Sequence, residues 1–172
     1  MSKTPTTATS CPYVVGDDGL ASWSDTHADA WIGLLETHKQ LIRALDAELE
    51  ARHGLSLSGL EVLGRLAAAA EHHLRLSTLA RETGLSLSRV SRIIDLLETR
   101  KLVRREACPQ DARAVEAHLT TEGLSLAREG QATHFASVLL RFFDKLEPGE
   151  VEALAGVFGR LSPRAAAACT TD

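Results

Sequence analysis

The sequence predicts a mainly α-helical protein with one small β-hairpin near its centre. Apolar residues recur at spacings of three and four over most of the chain between about residues 26 and 161, as in amphipathic helices. Between residues 100 and 119 this period changes to apolar–polar alternation, which is typical of strands. With 172 residues, 44% of them hydrophobic, the chain is long enough for one compact domain with a core.

The first two predicted helices follow a polar N-terminal segment. Residues 1–25 are rich in Thr, Ser, Pro, Gly and Asp, so we expect a flexible tail. A long helix is predicted over about 26–52, and Gly54 follows its end. Ser58 and Glu61 have the spacing of a capping box, which predicts the start of a second helix.

Two short helices joined by a tight turn are predicted next. The first spans Leu76–Thr83 and is followed by Gly84, which can adopt the left-handed conformation that ends a helix. Ser86 is a good N-cap for the second, over Leu87–Thr99. Ser88 and Arg92 lie opposite the apolar stripe of that second helix. Short hydroxyls and guanidinium groups there can contact base edges or phosphates in a DNA major groove, although a solvated surface is the alternative.

A charged hairpin and two further helices complete the pattern. We expect strands over 100–106 and 115–119, joined by a turn over 108–113 that places an arginine near its tip. Thr120 is expected to cap a helix that runs to about residue 145, and Pro148 to open a last apolar helix.

These segments resemble the MarR family of winged helix-turn-helix transcription regulators, from about Ala28 to Leu161. The matching stretches are residues 76–80, 88–98, 101–105, 111–113 and 119–123, of which the Asp-x-Arg of the hairpin and the Leu-Thr-x-x-Gly after it are the most specific. The resemblance implies a homodimeric regulator, in most cases a repressor, that binds a palindromic double-stranded operator. It also implies that Asp111 holds Arg113, which matches the wing arginine of the family.

With the resemblance, the predicted organisation is a winged helix-turn-helix domain plus a helical dimerisation domain. The expected segments are a tail (1–25), an N-terminal dimerisation helix (26–56), the DNA-binding domain (57–120), C-terminal dimerisation helices (121–163) and a second tail (164–172). The expected DNA contacts are Ser77, Thr78, Ser86, Ser88, Arg89, Ser91, Arg92, Arg104, Asp111 and Arg113.

The resemblance further implies a small aromatic or phenolic anion as effector, bound between the dimerisation helices and the winged domain. Aromatic side chains and hydrogen-bond donors suited to such a ligand occur at Trp31, His38, Arg65, His134 and Phe135, most of which could equally be core or surface residues.

Three alternatives stay open at this point. Arginines near Cys108 in the sequence favour a reactive thiolate, so the protein could be a redox sensor, although a passive cysteine is the simpler interpretation. Seven histidines suggest metal response, but no ligand-like spacing accompanies them, so no metal ligand is predicted. The winged domain could also be a protein-interaction module.

Charge and composition narrow the classes of function. The chain has a net charge of −4, yet residues 75–113 hold nine Lys and Arg against five Asp and Glu, a local +4 that leaves −8 elsewhere. One basic face on an acidic body favours a single docking orientation on DNA. No arrangement typical of a catalytic or cofactor site occurs, and no apolar run reaches the roughly 20 residues of a membrane span. We therefore expect a cytoplasmic protein that is not an enzyme and has no membrane partner.

Overall fold

The computed structural model describes residues 13–23, 25–108 and 111–161, and the side chains of all of these except residues 25 and 111–114. The chain divides into two compact units, Met1–Ile42 and Arg43–Asp172. Helix α1, Asp25–His53, begins in the first unit and ends in the second.

The first unit contains a hairpin that the sequence analysis did not predict. Strands β1 (Tyr13–Val15) and β2 (Ala21–Trp23) pair antiparallel, and the rings of Tyr13 and Trp23 meet edge to face with centroids 6.4 Å apart. Gly19 lies in the connecting turn with φ of +76°, a conformation that favours glycine. The side chains of both strands are exposed.

In its described residues the second unit holds five further α-helices and a three-stranded antiparallel sheet of order β3-β5-β4. Its two α-helices after the sheet are separated by a short 3-10 turn at Phe143–Lys145. The element bounds are α2 Leu57–Ala68, β3 His73–Arg75, α3 Leu76–Thr83, α4 Leu87–Thr99, β4 Val103–Cys108, β5 Asp111–Leu119, α5 Thr121–Arg141 and α6 Glu150–Leu161.

The core of this unit surrounds α2. Val62, Leu63 and Leu66 are completely buried and belong to one apolar cluster with residues from α3, α4, the sheet and α5. Helix α5 approaches α2 closely, because a Cβ on Gly130 would lie 2.8 Å from Cδ1 of Leu60. Residues from α3, α4, α5 and the sheet therefore pack around a single helix.

Several sequence predictions of element boundaries are confirmed, and others are wrong. Helices α3 and α4 have the predicted bounds. The cap of α2 is Ser56 and not Ser58, since the Ser56 hydroxyl accepts the hydrogen bond from the Gly59 amide. Helix α5 ends at Arg141, before the predicted residue 145, because Phe142 leaves the helical conformation.

The predicted hairpin is also too short at its tip. Cys108 pairs with Asp111 across the hairpin, so the residues assigned to the turn extend both strands, with a bulge between Ala107 and Cys108. Ladder hydrogen bonds outweigh the local turn preference there. At the other end, Lys101 has φ of +61° and the strand begins only at Val103.

None of the helices within the described residues combines the length and apolarity needed to cross a membrane.

A carboxylate joins the C-terminal part of α1 to α5. The buried Ser137 hydroxyl donates to Oε2 of Glu48 at 2.6 Å, and Arg141 donates to the same oxygen at 3.3 Å. Arg52 lies 3.0 Å from the other oxygen. The Ser137 hydrogen bond is the main cause that holds the pKa of Glu48 below its ordinary value, with smaller contributions from the two arginines against an opposing desolvation.

This lowered pKa predicts a pH dependence of stability. A carboxyl group with a depressed pKa in the folded state stabilises the protein above its unfolded pKa, and this contribution is lost as the pH falls through the folded value. Urea unfolding of the wild type should therefore lose stability below about pH 4.5 more steeply than that of Glu48→Gln. Glu50→Gln on the same helix is the control, and equal slopes for the two variants would contradict the assignment.

Candidate nucleic-acid interface

The helix-turn-helix is fixed by two local features of the chain. Gly84 ends α3 with φ of +69°, a backbone conformation that costs other residues about 1 to 2 kcal/mol. Two residues later the Ser86 hydroxyl accepts a hydrogen bond from the Arg89 amide at 3.3 Å and begins α4. Val90, Ile94 and Leu97 bury one side of α4 in the core, so its opposite side faces outward.

The outward side of α4 carries the predicted contact residues. Arg92 is exposed and makes no hydrogen bond or ion pair with any other residue that the structure describes. Ser88 is exposed, with its hydroxyl 3.1 Å from that of Ser86. Arg89 donates to the hydroxyl of Ser58 at 3.3 Å and is exposed as well. This surface offers the uncommitted guanidinium of Arg92 together with the hydroxyl of Ser88.

Ser91 has a different environment from the other predicted contacts. It is half-buried, and both its carbonyl and its hydroxyl accept hydrogen bonds from Nη2 of Arg105, at 2.9 and 3.3 Å. Its role as a direct contact stays a prediction, since its hydroxyl already has a partner within the protein.

Arg105 connects the hairpin to α4. Its Nη1 donates to Asp95 and lies 3.4 Å from the Glu98 carboxylate, while its backbone amide donates to the same carboxylate at 3.0 Å. Together with the bonds to Ser91, these contacts join one residue of β4 to two successive turns of α4. Sequence analysis missed this role, although the alternation of β4 puts Arg105 on the same side as the buried Val103 and so indicated an inward side chain.

The remaining predicted contacts lie on α3 and on the hairpin. Ser77 is exposed and Thr78 is half-buried at the start of α3. Arg104 is exposed on β4 and pairs with Glu106 at 2.7 Å. The backbone at Asp111 and Arg113 belongs to β5, whereas their side chains lie outside the described residues.

The predicted redox residue, Cys108, is buried at the end of β4. Its sulfur accepts a hydrogen bond from Nη2 of Arg75 at 3.1 Å. Burial restricts access of oxidants to the thiol, so the redox role stays a prediction. Among the described residues, no group of three or more His, Cys, Asp or Glu side chains has a geometry that could hold a metal ion.

Three of the predicted effector residues meet at a cleft between α2 and α5. Arg65, His134 and Phe135 line an open space of about 410 Å³, with largely apolar walls from Leu57, Leu60 and Ala68. Nδ1 of His134 is buried and has no hydrogen-bond partner in the described part of the chain. Trp31 and His38 are exposed on the part of α1 that belongs to the first unit, and their participation stays a prediction.

Comparison with known proteins identifies the family to which this chain belongs. The MarR family model matches residues 53–114, which contain the helix-turn-helix and most of the hairpin. The structure is similar to that of AbsC, a MarR family transcriptional regulator from Streptomyces coelicolor, with a TM-score of 0.74 and 33% sequence identity over 83% of this chain and 97% of AbsC. The chain belongs to the MarR family of transcriptional regulators.

Two other relatives add detail. Sco3205, a MarR family transcriptional regulator from Streptomyces coelicolor whose structure is in complex with DNA, matches with a TM-score of 0.74 and 29% identity over 82% of this chain and 89% of its own. The HTH-type transcriptional repressor YetL from Bacillus subtilis is 25% identical over 137 residues, covering 78% of this chain and 81% of YetL.

The contacts of Arg105 predict that its replacement destabilises the protein. In Arg105→Lys the fork of guanidinium donors is lost, and a cost of about 1 to 3 kcal/mol in the free energy of unfolding is expected for charged hydrogen bonds of this kind. The control is Arg104→Lys, an exposed neighbour with one ion pair, for which about 0.5 kcal/mol or less is expected. Chemical denaturation of both variants measures the difference, and equal costs would show that the link to α4 contributes nothing.

Proposed function

We propose that the protein is a homodimeric, sequence-specific DNA-binding repressor whose α4 helices enter successive major grooves of a palindromic operator. The observation that carries this proposal is the outward face of α4, where Arg92 is exposed and makes no hydrogen bond or ion pair with another described residue. The DNA complex of Sco3205 and the repressor role of YetL support it. A cytoplasmic location follows from the DNA partner.

The charge of the DNA-binding segment supports the same proposal. Residues 75–113 have a local charge of +4 in a chain of net charge −4. This basic segment attracts the DNA phosphates, whereas the acidic remainder of the chain repels them. Arg104 on β4 is exposed, in position for a backbone contact by the hairpin. Affinity should therefore depend strongly on salt, since each phosphate contact releases counterions.

Exposed apolar side chains support the dimer. In the first unit Trp31, Ile32 and Leu34 are exposed on α1. In the second unit the terminal helices expose a separate set, Phe135, Leu139, Leu140, Phe143, Val157, Phe158 and Leu161. Apolar patches of this extent on a monomer are typical of interfaces. A second copy of the chain would bury them with the two-fold symmetry that a palindromic operator requires.

Replacement of Arg92 tests the DNA-binding surface. If its guanidinium contacts a base, Arg92→Ala should weaken binding by about 1 to 3 kcal/mol and relax sequence preference, as measured by fluorescence anisotropy against the duplex upstream of the coding sequence with a random duplex as competitor. Arg128→Ala on the exposed side of α5 removes the same charge elsewhere and should bind like the wild type.

The same titration tests the dimer. At protein concentrations well above the dissociation constant, binding should saturate at two chains per duplex. Equal, weak binding of the wild type to operator and random duplexes would instead favour a winged-helix module that contacts other proteins.

We infer further that the cleft between α2 and α5 binds a small aromatic anion that releases the repressor. Arg65 can pair with a carboxylate or phenolate, and the unpartnered Nδ1 of His134 can accept or donate one hydrogen bond. Phe135 and Leu60 provide apolar contacts for a ring. Such a ligand shifts the equilibrium towards the state that does not bind DNA only as far as it binds that state more tightly than the DNA-binding state.

Benzoate and 4-hydroxybenzoate are suitable probes of this cleft. A saturating ligand should weaken operator binding by about tenfold, within the usual range of allosteric coupling, and Arg65→Ala should remove most of this response. Arg128→Ala should retain it. If calorimetry detects no binding of either acid and operator affinity is unchanged, the effector proposal fails while DNA binding stands.

A further inference from the structure

Leu87 is an exposed apolar residue at the first position of α4. It is 53% exposed, whereas Leu85, two residues earlier, packs against the core cluster. The side of the helix that is buried in the core begins only at Val90. The structure thus leaves a leucine side chain in contact with solvent at the beginning of the helix that carries the DNA-binding surface.

The polar side chains next to Leu87 already have partners within the protein. The hydroxyl of Ser86 accepts a hydrogen bond from the Arg89 amide at 3.3 Å and lies 3.1 Å from the hydroxyl of Ser88. The guanidinium of Arg89 donates to the hydroxyl of Ser58 at 3.3 Å. To contact a base edge, each of these groups would share or exchange a hydrogen bond. The apolar surface of Leu87 is available without such an exchange.

The chemistry of base edges restricts what this leucine can recognise. The first residues of a recognition helix are the ones that contact base edges in the major groove. Adenine, guanine and cytosine present hydrogen-bond donors or acceptors there, and thymine presents a C5-methyl group in addition to its acceptor. A leucine packed on that methyl group removes apolar surface of both partners from water. Against the amino group of cytosine, the same leucine would desolvate a donor without replacing its hydrogen bond.

A second exposed leucine on α4 has a different environment. Leu96 is 68% exposed and lies near the other end of the helix. It lines a cleft of about 300 Å³ together with Gly54 and Leu55, which follow the end of α1. The two leucines therefore share one helix and differ in their distance from its first turn, so Leu96 is a matched control for Leu87.

We propose that Leu87 contacts the C5-methyl group of a thymine in each half-site of the operator and thereby contributes to sequence specificity. This inference rests on the proposed DNA-binding function and adds an apolar contact to the charged and hydroxyl contacts of α4. It also assigns one chemical feature to the operator, which is a thymine whose methyl group contributes to affinity independently of its base pairing.

Replacement of thymine by uracil tests this contact, because it removes the methyl group and leaves the base pair unchanged. Footprinting first locates the operator within the duplex upstream of the coding sequence. Each symmetry-related pair of thymines is then replaced by deoxyuridine in a separate duplex, and binding is measured by fluorescence anisotropy. For one pair, the dissociation constant of the wild type should rise about fourfold for each methyl group removed, which corresponds to about 0.8 kcal/mol.

Variants of the protein assign this response to Leu87. Leu87→Ala should bind the thymine duplex more weakly than the wild type does, and replacement of the same thymines should change its affinity by about twofold or less. Leu96→Ala should keep the full response of the wild type. Because Leu87 is exposed, Leu87→Ala should unfold at nearly the same urea concentration as the wild type, which separates a lost contact from a loss of folded protein.

Three results would contradict the inference, and they differ in what they leave standing. Selective operator binding without a uracil response, or with an equal response of the wild type and Leu87→Ala, would overturn the methyl contact while the proposed function stands. A uniform loss of affinity of Leu87→Ala for operator and random duplexes would indicate an apolar contact with the DNA backbone and would overturn it as well. Equal binding of the wild type to operator and random duplexes would contradict the proposed function itself, and this inference with it.

Discussion

The complete burial of one side of α2 is the constraint on which the rest of the second unit depends. Val62, Leu63 and Leu66 are inaccessible to water, and each buried side chain of this kind contributes about 1.5 to 3 kcal/mol relative to an exposed one. Helices α3, α4 and α5 and the sheet all contribute to the same cluster. The helix that supports the DNA-binding surface also carries Arg65 at the proposed effector cleft. A ligand in that cleft would therefore act on an element that cannot move without disturbing the core.

Arg105 imposes a second constraint, between the hairpin and α4. A strand that packs only through apolar contacts can slide, whereas the hydrogen bonds of Arg105 to Ser91, Asp95 and Glu98 require one position along the helix. The hairpin and α4 are thus held in one fixed arrangement.

The sequence predicted the helix-turn-helix well, because its boundaries depend on local chemistry: a glycine at positive φ and a serine cap lie within three residues of each other. It predicted the hairpin less well, because cross-strand pairing decided where Cys108 and Asp111 lie. The cap of α2 was wrong for a similar reason, since both Ser56 and Ser58 suit the role and only the observed hydrogen bond selects Ser56. The strands β1 and β2 were not predicted, because each has only three residues. The stacking of the His73 and His118 rings, with centroids 4.7 Å apart, could not be predicted, since this contact requires the register of a third strand.

The close approach of Gly130 to Leu60 has a mechanical consequence. Helix α5 is anchored at its start, where the Thr120 hydroxyl donates to the carbonyls of Lys101 and Leu102, and again where Gly130 meets α2. A displacement of the C-terminal end of α5, near Arg141, would therefore act on two elements at once: on α2 through Gly130, and on the start of β4 through Thr120.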